Sequence, residues 1–397
     1  METVSIENAR MWRSLGFVFG LFMVSRALVF ILAVASPYFV KTDIYARKPF
    51  GTEDRAQYFN RWDVEWYRRV AVDGYSYTHG VESNVVFFPL FPSLIRTLHA
   101  LGLRPIWAAM LISSVCFAAS LWLIYALVLR ETSRRRTAEW VTALLAFSPG
   151  GVWFFLGMTE SVFLFLTLTL FWALHVGKRN WAMVVGLLAG LTRPNAFLLA
   201  LPVLAILWPA LRLVWERRDI RGVSCLLGVA AAPLLGHVCF LTFLQIRFDD
   251  WSLSYQVSSQ YWHNHFILSW ESFSSRIPGL GLTLLDSGAG TYVTHVAWSW
   301  TLVLLVGIIS GVALWQRRVF SWHVVYLLAF FAFHSFIVQG ATPLGPIARY
   351  ASVVPAFYVG LVIACERHLW ARFALIAGSS SMMALQTILV FAGYHIN

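Results

Sequence analysis

At 397 residues the chain has the length of two or three soluble domains, but 59% of it is hydrophobic and only 12% charged, about half the charged share of a soluble protein. A mean hydropathy of +0.67 excludes a soluble globule, a disordered chain, a collagen-like repeat and a disulfide scaffold, and marks a polytopic membrane protein whose 19 Trp and 14 Tyr fit interfacial belts. The net charge of +11 comes from 30 Lys and Arg against 19 Asp and Glu; the basic residues cluster between apolar runs, where they report topology, and no nucleic-acid partner is expected.

Cys116, Cys225, Cys239 and Cys365 lie in or beside apolar runs without a CxxC pair, so they read as small core residues, with no disulfide or zinc site implied. No Asn-x-Ser/Thr sequon is present. The first apolar run, Gly16 to Val40, contains Arg26. Ala33-Val34-Ala35 has the form of a signal-peptidase site, but the run is too long for a signal peptide and reads as an uncleaved helix.

A polar stretch over 41–85 follows, then a segment over 86–103 that reads as an interfacial helix. Apolar segments then cover 105–129, 138–152, 160–176, 181–192, 196–210, 222–246, 296–315, 321–338, 351–365 and 371–392. Several are shorter than the roughly 20 residues of a perpendicular span. The basic loops at Arg130–Arg136, Lys178-Arg179, Arg212–Arg221, Gln316–Arg318 and Glu366–Arg372 are assigned to the cytoplasm. The expected architecture is all-α: one integral-membrane domain over 1–397 with about 11 spans, the N-terminus inside and the C-terminus outside. The opposite face then gathers the loops over 41–85 and 247–295 and the turns Ser148–Thr159, Leu191–Asn195 and Gln339–Arg349. That face is periplasm or lumen, a bacterial inner membrane being favoured over the endoplasmic reticulum.

The chemistry-bearing residues cluster there. Arg61-Trp62-Asp63-Val64-Glu65-Trp66-Tyr67 precedes Gly74-Tyr75 and Phe87-Phe88-Pro89-Leu90-Phe91-Pro92. Asp63 is placed as a general base, with Trp62, Trp66, Tyr67 and Tyr75 as an apolar wall for substrate; the alternative is an interfacial aromatic anchor with a solvated carboxylate. Glu160 and Arg193 interrupt apolar segments, where ionisable groups are costly. They read as a buried structural pair, as substrate contacts, or as both. Thr159 or Ser161 is expected to cap the following helix. Arg349 suits a phosphate or snorkels to headgroups. Arg26 is a partner for Glu160 or another acid. His263-Asn264-His265 lacks an acidic cluster, so this loop is expected to pack over the site; neither a metal nor a cofactor is expected.

The order WDxxWY, GY, FFPLFP resembles the PIG-V family, the second mannosyltransferases of glycosylphosphatidylinositol synthesis with their bacterial relatives, within the GT-C superfamily of lipid-donor glycosyltransferases. Ser148-Pro149 with Thr159-Glu160-Ser161, and Gly190-Leu191-Thr192-Arg193-Pro194-Asn195, resemble two further elements of that family. The likeness covers the N-terminal half and, beyond it, only Arg349-Tyr350 with Pro355; Ala196 stands where relatives often carry Gly. The resemblance implies a GT-C-like fold. It also implies a hexose, mannose first, transferred with inversion from a polyprenyl- or dolichyl-phosphate donor to a lipid or glycolipid acceptor. Asp63 would be the base, and Glu160, Arg193, Asn195 and Arg349 substrate contacts. Two other functions stand beside it. A transporter or flippase of lipid-linked substrates would show internal repeats, absent here. A protein O-mannosyl or aminoarabinose transferase would show an acidic pair, whereas Asp63 and Glu65 are separated by one residue and only Asp63 fits the motif.

Overall fold

The computed structural model describes residues 2–40, 54–262, 264–266, 290–317, 321–334, 337–339 and 347–392. Among the described residues five helices are long and apolar enough to cross a membrane: Met11–Phe39, Pro105–Thr132, Pro194–Glu216, Ile220–Phe248 and Leu369–Phe391. Shorter apolar helices cover Glu160–His175, Leu302–Gln316, Trp322–His334 and Pro355–Ala364. The chain is an integral membrane protein built of helices. Among the described residues one three-residue antiparallel pair interrupts the helical pattern, β1 (Asn264–Phe266) against β2 (Ile337–Gln339).

In chain order the helices are α1 (Glu2–Phe39), α2 (Arg55–Tyr58), α3 (Asp63–Asp73), α4 (Leu90–Ala100), α5 (Pro105–Thr132), α6 (Arg135–Ala146), α7 (Glu160–His175) and α8 (Arg179–Gly190). They continue with α9 (Ala200–Glu216), α10 (Ile220–Phe248), α11 (Leu253–Trp262), α12 (Gly290–Arg317), α13 (Ser321–His334), α14 (Ile347–Ala351), α15 (Pro355–Ala364) and α16 (Leu369–Phe391). Helix ends follow local chemistry. Pro105 opens α5 and Ser133, left-handed at φ 54°, closes it. Asp219 accepts from the Gly222 amide at 3.0 Å to cap α10.

Packing runs from α5 to α7, α7 to α8 and α8 to α10, while α1 lies against α5 and α16. Helices α8 and α10 cross with almost no space between backbones. A Cβ on Gly190 would sit 2.1 Å from the Pro233 carbonyl oxygen, and one on Gly236 2.1 Å from that of Leu187. Only glycine admits this approach.

Two short helices carry the aromatic motif. Helix α3 buries Val64, Tyr67, Val70 and Ala71 on one face, the spacing of an amphipathic helix, and ends at Gly74 with φ 82°. Within the segment expected as an interfacial helix, α4 buries Phe91 and Ile95 while Leu94 is exposed.

The turn between α6 and α7 is buried from Gly150 to Thr159. Buried non-helical backbone needs internal hydrogen-bond partners, and here it has them. Gly151 N–H donates to Ser148 O at 2.8 Å, and Phe155 N–H to Val152 O at 3.1 Å. Ser113 Oγ donates to Met158 O at 3.1 Å. Its glycines let neighbours close in: a Cβ on Gly150 would strike Ser352, one on Gly151 Met383, and one on Gly157 Ala109. Arg26 belongs to this plug. It donates to Gly151 O at 2.8 Å and lies 4.4 Å from the Phe117 ring centre. The expected acid partner is replaced by carbonyl oxygens, that of Gly151 in the plug and that of Ala146 at the end of α6.

Candidate active site

Asp63 opens α3, so its carboxylate sits at the positive end of the helix dipole. Trp62 before it has φ 45° and ψ −118°, in a tight turn closed by Val64 N–H on Arg61 O at 3.0 Å. That region favours glycine, and holding a larger residue there costs about 1–3 kcal/mol. The Trp62 ring meets Trp153 of the buried plug at 5.3 Å between centroids.

Three distant segments meet Asp63. Arg349, in α14, brings Nη2 to 2.7 Å from Asp63 Oδ2 and donates through Nε to Glu160 Oε1. Glu160 is the first residue of α7, another helix N-terminus. Arg193 Nη1 lies 2.7 Å from the same Glu160 oxygen, an ion pair without hydrogen-bond alignment. The result is an alternating row, Asp63–Arg349–Glu160–Arg193. Two carboxylates balance two guanidiniums in a place where single charges would be prohibitive. Glu160 is wholly buried and Arg193 5% exposed, whereas the Asp63 side chain keeps 24% of its exposure. Access therefore comes from the Asp63 end.

Aromatic rings enclose the row. The Arg349 guanidinium lies 5.3 Å from the Trp153 ring centre, and that of Arg193 5.3 Å from the Tyr350 ring. The Tyr67 hydroxyl is 3.4 Å from Thr159 Oγ1. Burial, with the nearby Asp63 and Glu160 carboxylates, raises the Tyr67 phenol well above its ordinary range, so it stays protonated. One Glu160 oxygen, Oε2, is buried with no hydrogen-bond partner among the described residues.

No family model matches the chain. A stretch of 178 residues, 43% of this chain, is 29% identical to GPI mannosyltransferase 2 of Yarrowia lipolytica (strain CLIB 122 / E 150). It covers 46% of that protein, so the chain spans less than half the length of the curated relative it matches. The likeness is to a glycosyltransferase.

Of the residues singled out in the sequence, Asp63, Glu160, Arg193 and Arg349 come together directly, with Trp62 and Tyr67 beside them. Trp66 lies one step out, stacked on Phe87 at 5.7 Å and edge-on to Trp262 at 5.8 Å. Tyr75 is a brace, its hydroxyl donating to Phe87 O at 2.5 Å and its ring against Phe243 at 5.3 Å. Asn195 follows Arg193 by two residues, and its Oδ1 is buried with no partner among the described residues.

Neither Thr159 nor Ser161 caps α7: the Thr159 side chain makes no capping bond, and Ser161 Oγ donates to Phe154 O at 3.1 Å. Their oxygens serve the plug and Tyr67. Trp153 escaped the sequence reading; the sole signal was an indole three residues after Gly150. His263 lies outside the described residues. Among the described residues no three His, Cys, Asp or Glu side chains group to hold a metal ion.

Glu65 faces away. Its carboxylate receives Arg68 through two bonds of 2.7 and 2.8 Å, Asn60 at 2.7 Å and Arg69 at 2.9 Å. Led by the Arg68 guanidinium, these donors hold it down at about 2, which leaves little basicity for proton abstraction.

Proposed function

We propose that the chain is a membrane mannosyltransferase that moves a mannose from a polyprenyl-phosphate donor to a lipid or glycolipid acceptor on the non-cytoplasmic face. The reading includes about 11 spans in a GT-C-like arrangement, with the N-terminus cytoplasmic, in a bacterial inner membrane. The observation that carries it is the junction of Asp63 with Glu160, Arg193 and Arg349, which unites all three sequence elements of the resemblance with Arg349. The partial likeness to a GPI mannosyltransferase supports the same chemistry.

In this reading the acceptor hydroxyl oxygen attacks the anomeric carbon from the side opposite the phosphate. The new carbon–oxygen bond forms as the old one to phosphate breaks, which inverts the centre. The hydroxyl proton passes to Asp63, and polyprenyl phosphate leaves with the bonding pair. Arg349 is the guanidinium nearest the base and the least buried of the pair, its side chain being 14% exposed. It moves from Asp63 to the donor phosphate, which both holds the leaving charge and frees the base. Glu160 and Arg193 keep Arg349 aimed, and Trp62, Trp66 and Tyr67 wall the sugar.

The test is transfer from polyprenyl-phosphate mannose in vesicles by Asp63→Asn and Glu65→Gln. Asp63→Asn should lose roughly 10²–10⁴-fold in rate, the contribution of a positioned base, while the protein stays folded and inserted. Glu65→Gln should retain turnover. The reverse pattern moves the base to Glu65, and full activity in both removes the site.

A further inference from the structure

On the opposite flank of α3 lies a cavity of about 410 Å³ that the proposed reaction does not use. Gln57, Asn60, Arg68, Arg69, Arg104 and Ile106 line it. Asp63 and Glu65 are two residues apart on a helix, so their side chains diverge by roughly 200°. The first meets Arg349 and the second lines this cavity. Its volume falls within the range of about 300–1,000 Å³ in which ligands are held.

We propose that this cavity binds the headgroup of an anionic bilayer phospholipid, its phosphate held by Arg68, Arg69 and Arg104. Charge is the first argument. The lining itself carries three guanidiniums and one carboxylate, Glu65, which serves Arg68 and Arg69; Asp54 pairs with Arg104 from outside the lining, and Asp73 acts on Arg68 from further off. Donor capacity is the second. Among the described residues Arg69 donates only through Nε, and Arg68 through Nε and Nη2. Both terminal nitrogens of Arg69 and Nη1 of Arg68 remain for a ligand, fixed in direction by Glu65 and by the Trp66 ring 5.0 Å from the Arg69 guanidinium. Such a pre-aimed pair suits phosphate oxygens.

Depth is the third argument. Arg104 is the residue before α5, a 28-residue apolar helix, which sets its guanidinium at the level where that helix enters the bilayer and where lipid phosphates lie. Pro105, partly exposed, continues the wall beside it, an apolar surface for the upper acyl chain. A soluble anion would gain nothing from that wall, so the lipid is the occupant argued for. A bound headgroup would brace α3 from behind and steady Asp63 on its front.

The test uses the full chain in nanodiscs of equal parts phosphatidylcholine and phosphatidylglycerol, with retained lipids counted by native mass spectrometry. Wild type should retain phosphatidylglycerol in preference to phosphatidylcholine. Each of Arg68→Gln, Arg69→Gln and Arg104→Gln should lower that preference roughly fivefold, the worth of one basic residue at a charged interface. Gln57→Glu keeps every arginine and places a carboxylate in the cavity; it should have the same effect and decides the matter if an arginine variant fails to fold. A preference unchanged in these variants overturns the proposal. So does displacement of the lipid by inorganic phosphate at matched ionic strength, which would make the cavity a free-anion site. Lipid retention is read without any sugar transfer, so the outcome is independent of the proposed reaction.

Discussion

Arg349 contacts an acid on each side, and its two partners differ in kind. Glu160 is wholly buried and holds Nε in place, whereas Asp63 is partly open and holds Nη2 at 2.7 Å. On the proposed reading, removing the guanidinium would leave the base unpaired but the leaving phosphate unheld. Arg349→Ala should therefore raise the donor KM ten- to a hundredfold, since a charge-assisted hydrogen bond contributes about 1.5–3 kcal/mol, with little change in the acceptor KM. Initial rates over a matrix of donor and acceptor concentrations separate the two, and an unchanged donor KM would reduce Arg349 to a structural bridge. Sequence alone made Glu160, Arg193 and Arg349 conspicuous, because a charge inside or beside an apolar run is costly, and Asp63 because it stands among aromatic residues. It could not show that residues 160 and 349 touch, since hydropathy carries no distances. Nor could it show that Arg26 would settle for carbonyl oxygens, because those acceptors exist only once α6 has ended.

At the scale of elements, α3 presents Asp63 on one side and an ionic network on the other. The Glu65 carboxyl, at about 2 in the folded chain, titrates near 4.3 when unfolded. A carboxyl depressed on folding contributes stability that is fully present above its unfolded value and is lost as pH falls through the folded one. Amide protection along α3 should thus decline between about pH 5 and about pH 2 in wild type, and more shallowly in Glu65→Gln; hydrogen exchange read by mass spectrometry distinguishes them. The α8–α10 crossing gives an independent test of the fold. Gly236→Ala would drive a Cβ to 2.1 Å from Leu187 O, and overpacking of this sort costs about 1–3 kcal/mol. Its thermal midpoint in detergent should fall clearly, while Gly228→Ala, whose Cβ would meet nothing nearer than Met183 Sδ at 4.0 Å, should match wild type. The heavy aromatic content drew the eye to α3 and α4, but the plug at 148–159 was legible only as a short turn. Its burial depends on Gly150, Gly151 and Gly157 each admitting a different neighbour, which no periodicity records.

For the whole molecule, the long apolar helices were legible from composition alone, because about 20 apolar residues in a row have few other uses. The shorter ones were not separable from interfacial segments: α6 and α8 have 12 residues each and rely on neighbours at their ends. Sidedness is open to direct measurement. In a background lacking the four cysteines, single cysteines at Thr78 and at Ser133, both exposed, should react with an impermeant reagent from opposite sides of the membrane. Reaction from one side would overturn the orientation drawn from the basic loops.

The row of charges is drawn from residues 63, 160, 193 and 349, and the plug beneath it is closed by Met383 of α16 against Gly151. A ribosome delivers those pieces in order. Through most of synthesis Asp63 has no guanidinium beside it and Glu160 has only Arg193. Arg349 arrives 156 residues after Arg193, and the floor is sealed later still, as α16 inserts. On the proposed reading, no chain that stops short of α16 carries a complete centre, and competence waits for α16 to take its place.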